Sequence, residues 1–345
     1  MGAFIGDALG LGPHWYYELD ELRRDFGGWI SDYTDPKPDA KYHAGMRAGE
    51  LSQTGIIMLI LLRSIAQRGG YDEADFTRRL DEELLPKLNG DDAYFGPGGY
   101  TNHSFRQVWQ KRVREGKPWG EAGGNADTSE AAERLSILAA RYALDPAAAA
   151  RHAFDNCLLT QTDSLVAQQS VAFACVVAAL IRGEAFDEQL SDKLIELVSN
   201  GTVPFVAESS IAAKPGGTTS FGFASPDALL LPSWIATATR SSGTRIEPAW
   251  KVSIVYGMSC AINFVLPGAY YLAARFPDDF ESAILHAING GGQNMSRACL
   301  TGALLGAQVG LSGIPKRFIS GLAYGAEIAV LAKQVASSAL KPSDP

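Results

Sequence analysis

The sequence predicts an all-α protein, a compact multi-helix bundle, and three observations carry that expectation. No stretch alternates apolar and polar residues with the period of two that marks a half-buried strand. Near the C-terminal end Ala298, Gly302, Ala303, Gly306, Ala307 and Gly310 recur at spacings of three and four, so small residues fill one helix face. At the other end, Gly2 to Tyr17 interleaves Gly and Ala with apolar residues in the same manner. Such faces let another backbone approach closely and belong at the centre of a bundle. The chain of 345 residues is read as one all-α domain over 1–345, with a long irregular insertion at about 200–250.

The elements follow in order. Gly2 to Tyr17 is a closely packed helix that carries one acid, Asp7, among apolar residues. A lone buried carboxylate is costly unless it is paired or coordinated. His14 stands either as a base near neutral pH or, with Trp15 and Tyr16, as part of an aromatic wall. Trp29 to Arg47 reads as a loop. Gly49 to Ala66 is a polar head (Glu50, Ser52, Gln53, Thr54) on a buried helix, with Ser52 or Thr54 as its cap. Tyr71 to Leu88 is a helix with a charged face. Asn89 to Trp109 is rich in turns and sets Tyr100 on a substrate-side loop.

In Gly123 to Leu138 a loop with Asn125 precedes a helix, and Asp127 and Glu130 have the spacing of a capping box. Ala147 to Glu184 is two helices broken at Leu159 to Asp163, with Ser170 to Ile181 as core. Asn200 to Trp250 is the Gly-, Pro-, Ser- and Thr-rich insertion. Two helices, Val252 to Arg275 and Phe280 to Asn289, lead into Gly290, Gly291 and Gly292. After that turn Gln293, Asn294 and Arg297 open the small-residue helix, whose first N–H groups are expected to face a ligand. Gly321 to Leu340 closes the bundle.

A net charge of −8 and a pI near 5.2 leave no basic stripe for a phosphate backbone, so no nucleic-acid partner is expected. The four cysteines have no CxxC spacing and sit among apolar residues, as buried thiols do. No signal peptide is visible, and the apolar run Ile56 to Leu62 is too short for a span of about 20 residues. The expectation is a cytoplasmic protein with a small-molecule ligand and no membrane partner, either a monomer or a small homo-oligomer.

Several of these motifs carry a resemblance. Gly290 to Gly292, Thr301-Gly302-Ala303-Leu304 and Gly313-Ile314-Pro315 keep the frame of a signature that reads GGDTDT, then TGALAGA, then IP. Asp7-Ala8-Leu9-Gly10 matches a GDALG opening, and Gly124-Asn125 with Arg134 keeps part of a glycine–asparagine loop. The chain resembles the ADP-ribosylglycohydrolases across almost its whole length. The resemblance implies an orthogonal multi-helix bundle with a cleft where the Gly2, Gly49 and Gly292 motifs meet. It also implies two Mg²⁺ ions held by aspartates of the second and last motifs. Gln53, Thr54, Gln293 and Met295 stand in those places, so no cofactor and no paired Mg²⁺ site is expected.

The implied catalytic residues are Asp7, His14, Asp127 and Glu130. Substrate contacts are expected from Trp15, Tyr16, Glu50, Ser52, Gln53, Thr54, Tyr100, Asn125, Gly291, Gly292, Gln293, Asn294 and Arg297, the last as an anion contact. The expected function is a metal-independent hydrolase acting on an ADP-ribosyl, N-glycosidic or C–N bond. The alternative is a silent nucleotide-binding or crystallin-like structural protein.

Overall fold

The glycines of the first helix decide the centre of the molecule. In a computed structural model, which describes residues 1–40, 43–88, 102–203 and 226–340, α1 (Gly2–Leu11) is buried on every side. Its glycines, four apart, face α15 (Asn294–Val309). A Cβ at Gly2 would stand 2.0 Å from the Gly302 carbonyl oxygen, and one at Gly6 would stand 2.1 Å from that of Ala298. A Cβ at Gly10 would stand 2.4 Å from Met295 Cα. The two backbones therefore touch along three turns, which no larger residue permits.

Around this seam the chain lays down α2 (Leu19–Phe26), α3 (Gln53–Arg68), α4 (Glu73–Arg79), α5 (His103–Trp109) and the single turn α6 (Trp119–Ala122). Next come α7 (Glu130–Arg141), α8 (Pro146–Leu158), α9 (Ser164–Ile181), α10 (Leu190–Ser199) and α11 (Leu231–Arg240). The bundle is completed by α12 (Val252–Tyr256), α13 (Ile262–Arg275), α14 (Phe280–Asn289), α16 (Lys316–Gly321) and α17 (Gly325–Ala339). Among the described residues there is no strand, only two isolated bridge pairs, Gly124 with Gln161 and Thr128 with Ala261. The all-α expectation holds.

Local chemistry explains the boundaries. Ser52 caps α3, Asp163 caps α9 through two backbone N–H groups, and Asp145 caps α8 ahead of Pro146. The charged helix expected from Tyr71 to Leu88 starts at Glu73, and after Arg79 it widens into a π turn, Leu80–Leu84. The stretch expected to be irregular at about 200–250 contains α11, because Pro232 starts a helix whose Ile235, Ala236 and Thr239 are buried. Among the described residues one helix, α9, is long and apolar enough to cross a membrane, and it lies mostly inside the bundle.

The loop between α2 and α3 is tied to the C-terminal half. Asn289 accepts from Ile30 N at 2.9 Å and donates to Ile30 O at 2.8 Å. Tyr33 Oη donates to Phe318 O at 2.6 Å, and Ala323 N donates to Gly49 O at 2.8 Å. These bonds hold the segment that leads into α3 against α14, α16 and the turn before α17.

Candidate functional site

Four helix N-termini, those of α3, α5, α7 and α15, are linked by buried polar side chains and three buried acids. Asp7 points from α1 to the start of α3. Its Oδ1 accepts from Ser52 Oγ at 2.5 Å and its Oδ2 from Ser52 N at 2.8 Å. Burial pushes this carboxyl up to about 6, against the pull of those bonds and of the Gly55 N–H. The head of α3 then reaches α5. Gln53 Oε1 accepts from Asn102 N at 2.9 Å, and Thr54 Oγ1 accepts from Asn102 Nδ2 at 3.3 Å. Asn102 in turn caps α5 by accepting from Phe105 N.

From α7 come two carboxyls. Glu130 Oε2 accepts from Ser104 N at 3.0 Å. Glu133 is fully buried, and its Oε1 accepts from Ser129 Oγ at 2.8 Å. Burial pushes the Glu133 carboxyl up to about 8. The neighbouring charges of Glu130 and Asp7 act in the same sense, while the Ser129 and Ser296 hydroxyls oppose it. Among the described residues Glu133 makes no ion pair, and its Oε2 has no hydrogen-bond partner. Sequence reasoning missed this residue. It shares a helix face with Glu130, Arg134 and Arg141, a pattern that reads as a solvated side and that only the fold encloses.

The α15 head supplies the wall. Gln293 Oε1 accepts from Trp15 Nε1 at 2.7 Å, and Gln293 Nε2 donates to Ser296 Oγ at 3.1 Å. Gly291 and Gly292 have φ values of 65° and 59°, and a Cβ on Gly291 would meet Tyr16 O at 2.5 Å. The N–H groups of the turn itself, ahead of α15, are occupied. Gly292 N donates to Tyr16 O at 2.7 Å and Gln293 N to Met258 O at 2.9 Å, because the chain after α1 and the loop before α13 both close onto the glycines.

Other expected roles also change. His14 Nδ1 is bonded to Asn294 Oδ1 at 2.9 Å, and burial, with His43 and Arg297 nearby, lowers its pKa to about 3. It is a neutral imidazole, and not a base that works near neutral pH. Arg297 is buried, and its Nη2 donates to Ala287 O and Gly291 O, so this side of the guanidinium closes the C-terminal end of α14. Asp127 is exposed and makes no capping box. Ser129 is the N-cap, and Glu130 turns to α5 instead. Glu50 accepts from Arg47 N in its own loop, and Tyr16 Oη donates to Asp25. Tyr100 lies outside the described residues.

Asn125 is exposed and accepts from Gln107 at 3.1 Å. It borders a groove of about 540 Å³ that also holds His103, Arg106, Lys111 and Thr162. Helix α5 thus turns Ser104 to Glu130 and His103 with Gln107 to this groove. Gln161, buried behind it, donates to Ala126 O at 2.9 Å and Thr128 O at 2.7 Å and accepts from Ala131 N at 2.7 Å. Gln161→Ala is expected to cost about 2–4 kcal/mol, since it strands these backbone groups. Hydrogen exchange at Ala131 should accelerate ahead of the rest of α7; unchanged protection there would show that Gln161 does not hold the loop.

The fit of a paired Mg²⁺ site follows from these bonds. The Gln53, Thr54 and Gln293 oxygens are neutral and already accept protein donors, and Met295 offers a soft thioether. Mg²⁺ takes hard, largely anionic oxygens in octahedral array, so this donor set does not suit it.

Comparison with known proteins adds four findings. The family model described as ADP-ribosylglycohydrolase matches residues 1–344. An uncharacterized protein of Archaeoglobus fulgidus is 26% identical over 326 residues, covering 93% of this chain and 89% of that relative. Crystallin J1A of Tripedalia cystophora is 36% identical over 80 residues only, 23% of this chain and 24% of that protein. A solved chain of an "ADP-ribosylglycohydrolase-related protein complex" superposes with a TM-score of 0.59 at 19% identity, covering 98% of this chain and 97% of its own length.

Proposed function

The chain belongs to the ADP-ribosylglycohydrolase family, and we propose that it is a hydrolase whose buried carboxyls, with no paired Mg²⁺, carry the acid–base chemistry. One observation supports this above the others. Glu133 is a fully buried carboxyl with no ion pair among the described residues and one oxygen without a partner. Such a group costs stability and adds nothing to packing, and strongly perturbed acids of this kind concentrate at reactive sites. A purely structural, crystallin-like role has no use for it.

In this reading Glu133 stays protonated at neutral pH and donates its proton to the leaving nitrogen or oxygen as the glycosidic bond breaks. Asp7, ionised above about 6, offsets the positive charge that develops on the sugar carbon. Water adds to that carbon and gives its proton to Glu130. Gln53, Thr54 and Gln293 act as neutral positioning groups. The groove with Arg106 and Lys111 offers room for the anionic part of an ADP-ribosyl substrate. The four cysteines are unpaired thiols, in keeping with a cytoplasmic protein acting on a small molecule.

Calorimetric titration with ADP-ribose tests the reading. Equal affinity in Mg²⁺ and in EDTA is expected. Binding that needs Mg²⁺ would restore the metal mechanism, and no binding in either would remove ADP-ribose from consideration.

A further inference from the structure

The amide of Asn294 fixes the proton of His14. Asn294 Nδ2 lies 3.1 Å from Pro13 O and 3.4 Å from both Gly10 O and Ile288 O. All three are carbonyls, which only accept, so this end of the amide must be the NH₂ group. Oδ1 therefore faces His14 Nδ1 at 2.9 Å, and Nδ1 must carry the proton. The ring is neutral, so Nε2 is left as a bare lone pair. It is buried and, among the described residues, has no partner. His14 is 7% exposed.

A second unpartnered atom lies on the same helix. Arg297 stands three residues after Asn294, on the same face of α15, near enough for its charge to weigh on His14. Its Nη1 is buried and donates to nothing among the described residues. An acceptor and a donor thus flank Asn294 unmet. A phosphate or carboxylate oxygen would suit the arginine and repel the imidazole lone pair. A hydroxyl donates as well as accepts, so it suits the bare Nε2 without adding charge beside the arginine.

We propose that His14 Nε2 is the acceptor for a hydroxyl of the bound ligand, so that this end of the site takes an uncharged sugar and not an anion. This deepens the hydrolase reading and rests on it for the identity of the sugar. Trp15 is the side chain that covers the ring. It stacks on His14 at 4.8 Å, is half-buried, and holds φ of 66°, a conformation that costs a non-glycine residue about 1–3 kcal/mol.

The test is ¹H–¹⁵N correlation of the imidazoles in the labelled full chain at neutral pH, with His14→Phe to assign the signal. Nδ1 is expected to be protonated and Nε2 bare. Added ADP-ribose should move Nε2 toward the hydrogen-bonded position and leave Nδ1 in place, while inorganic phosphate should move neither. By calorimetry His14→Phe should weaken ADP-ribose at least about tenfold, and His14→Gln, which keeps an acceptor, should recover part of that. A proton on Nε2 overturns the proposal. So does an Nε2 signal that answers to phosphate, that stays fixed because a bound water satisfies it, or that never moves because ADP-ribose does not bind. ADP-ribose binding that ignores His14 would sink this inference and leave the Glu133 reading standing. A shift at Nε2 in a protein without hydrolytic activity would do the reverse.

Discussion

Glu133→Gln is expected to stabilise the fold at pH 8 by a few kcal/mol, to leave it unchanged near pH 4, and to lower hydrolysis by about 10²–10⁴-fold. In the unfolded chain this carboxyl releases its proton near the ordinary glutamate value of about 4.5, whereas the fold holds the proton up to about 8. Between those values the native state binds the proton that the unfolded state has lost, so stability falls as pH rises through the window. Glutamine has the shape of the protonated acid and never pays that cost. The difference between the two proteins must therefore open with rising pH. His14 acts in the opposite sense. Its fold-state pKa near 3 means that the unfolded chain binds the extra proton, so stability is lost as pH falls from about 6.5 toward 3. Because His14 is present in both proteins, it cancels in the comparison. Thermal unfolding from pH 4 to 9 reads the effect. A gap that does not depend on pH would mean that the Glu133 carboxyl titrates like an exposed one, and the proposed acid would be lost with it.

Gly6→Ala should destabilise the protein by about 3 kcal/mol or more, although alanine is the better helix former by about 1 kcal/mol. The added methyl would stand 2.1 Å from the Ala298 carbonyl oxygen and 2.7 Å from Cys299 N, and backbone cannot step aside as a side chain can. Gly306→Ala supplies the control. It lies on the same pair of helices, but its Cβ would come no closer than 3.5 Å to Gly2, so the propensity gain of about 0.5–1 kcal/mol should appear. Urea unfolding of the three proteins measures both. If Gly6→Ala fell within 1 kcal/mol of the parent, α1 and α15 would not be packed backbone to backbone.

The sequence made the helices and the seam legible because both are written in local spacing. The stripes of Gly2, Gly6 and Gly10 and of Ala298, Gly302 and Gly306 are readable without a partner in view. Ser52 as the cap of α3, and the break between α8 and α9, follow from one or two residues each. The site was harder to read, since its bonds join residues far apart in the chain. Asp127 and Glu130 have the spacing of a capping box, yet Ser104, 26 positions earlier, takes the Glu130 carboxylate. Arg297 follows a glycine turn as an anion-binding residue would, and only the fold shows the carbonyls of Ala287 and Gly291 in front of it. Glu133 gave no signal, because with Glu130, Arg134 and Arg141 it makes a polar stripe that looks like an ordinary solvated face, and only the fold buries it.

The seam between α1 and α15 also sets a timetable. Helix α1 is apolar around its circumference, and the face it needs lies almost the whole chain away, from Asn294 onward. At ribosomal speed that interval is on the order of tens of seconds. Through it α1 has only its contact with α3 to make, and the last-made helices must deliver the seam that completes the core. Such long-range closure slows folding and leaves a sticky N-terminal segment exposed to aggregation. A nascent chain halted before α15 should therefore be a client of the chaperones that hold apolar segments, and release from them should coincide with the arrival of α15.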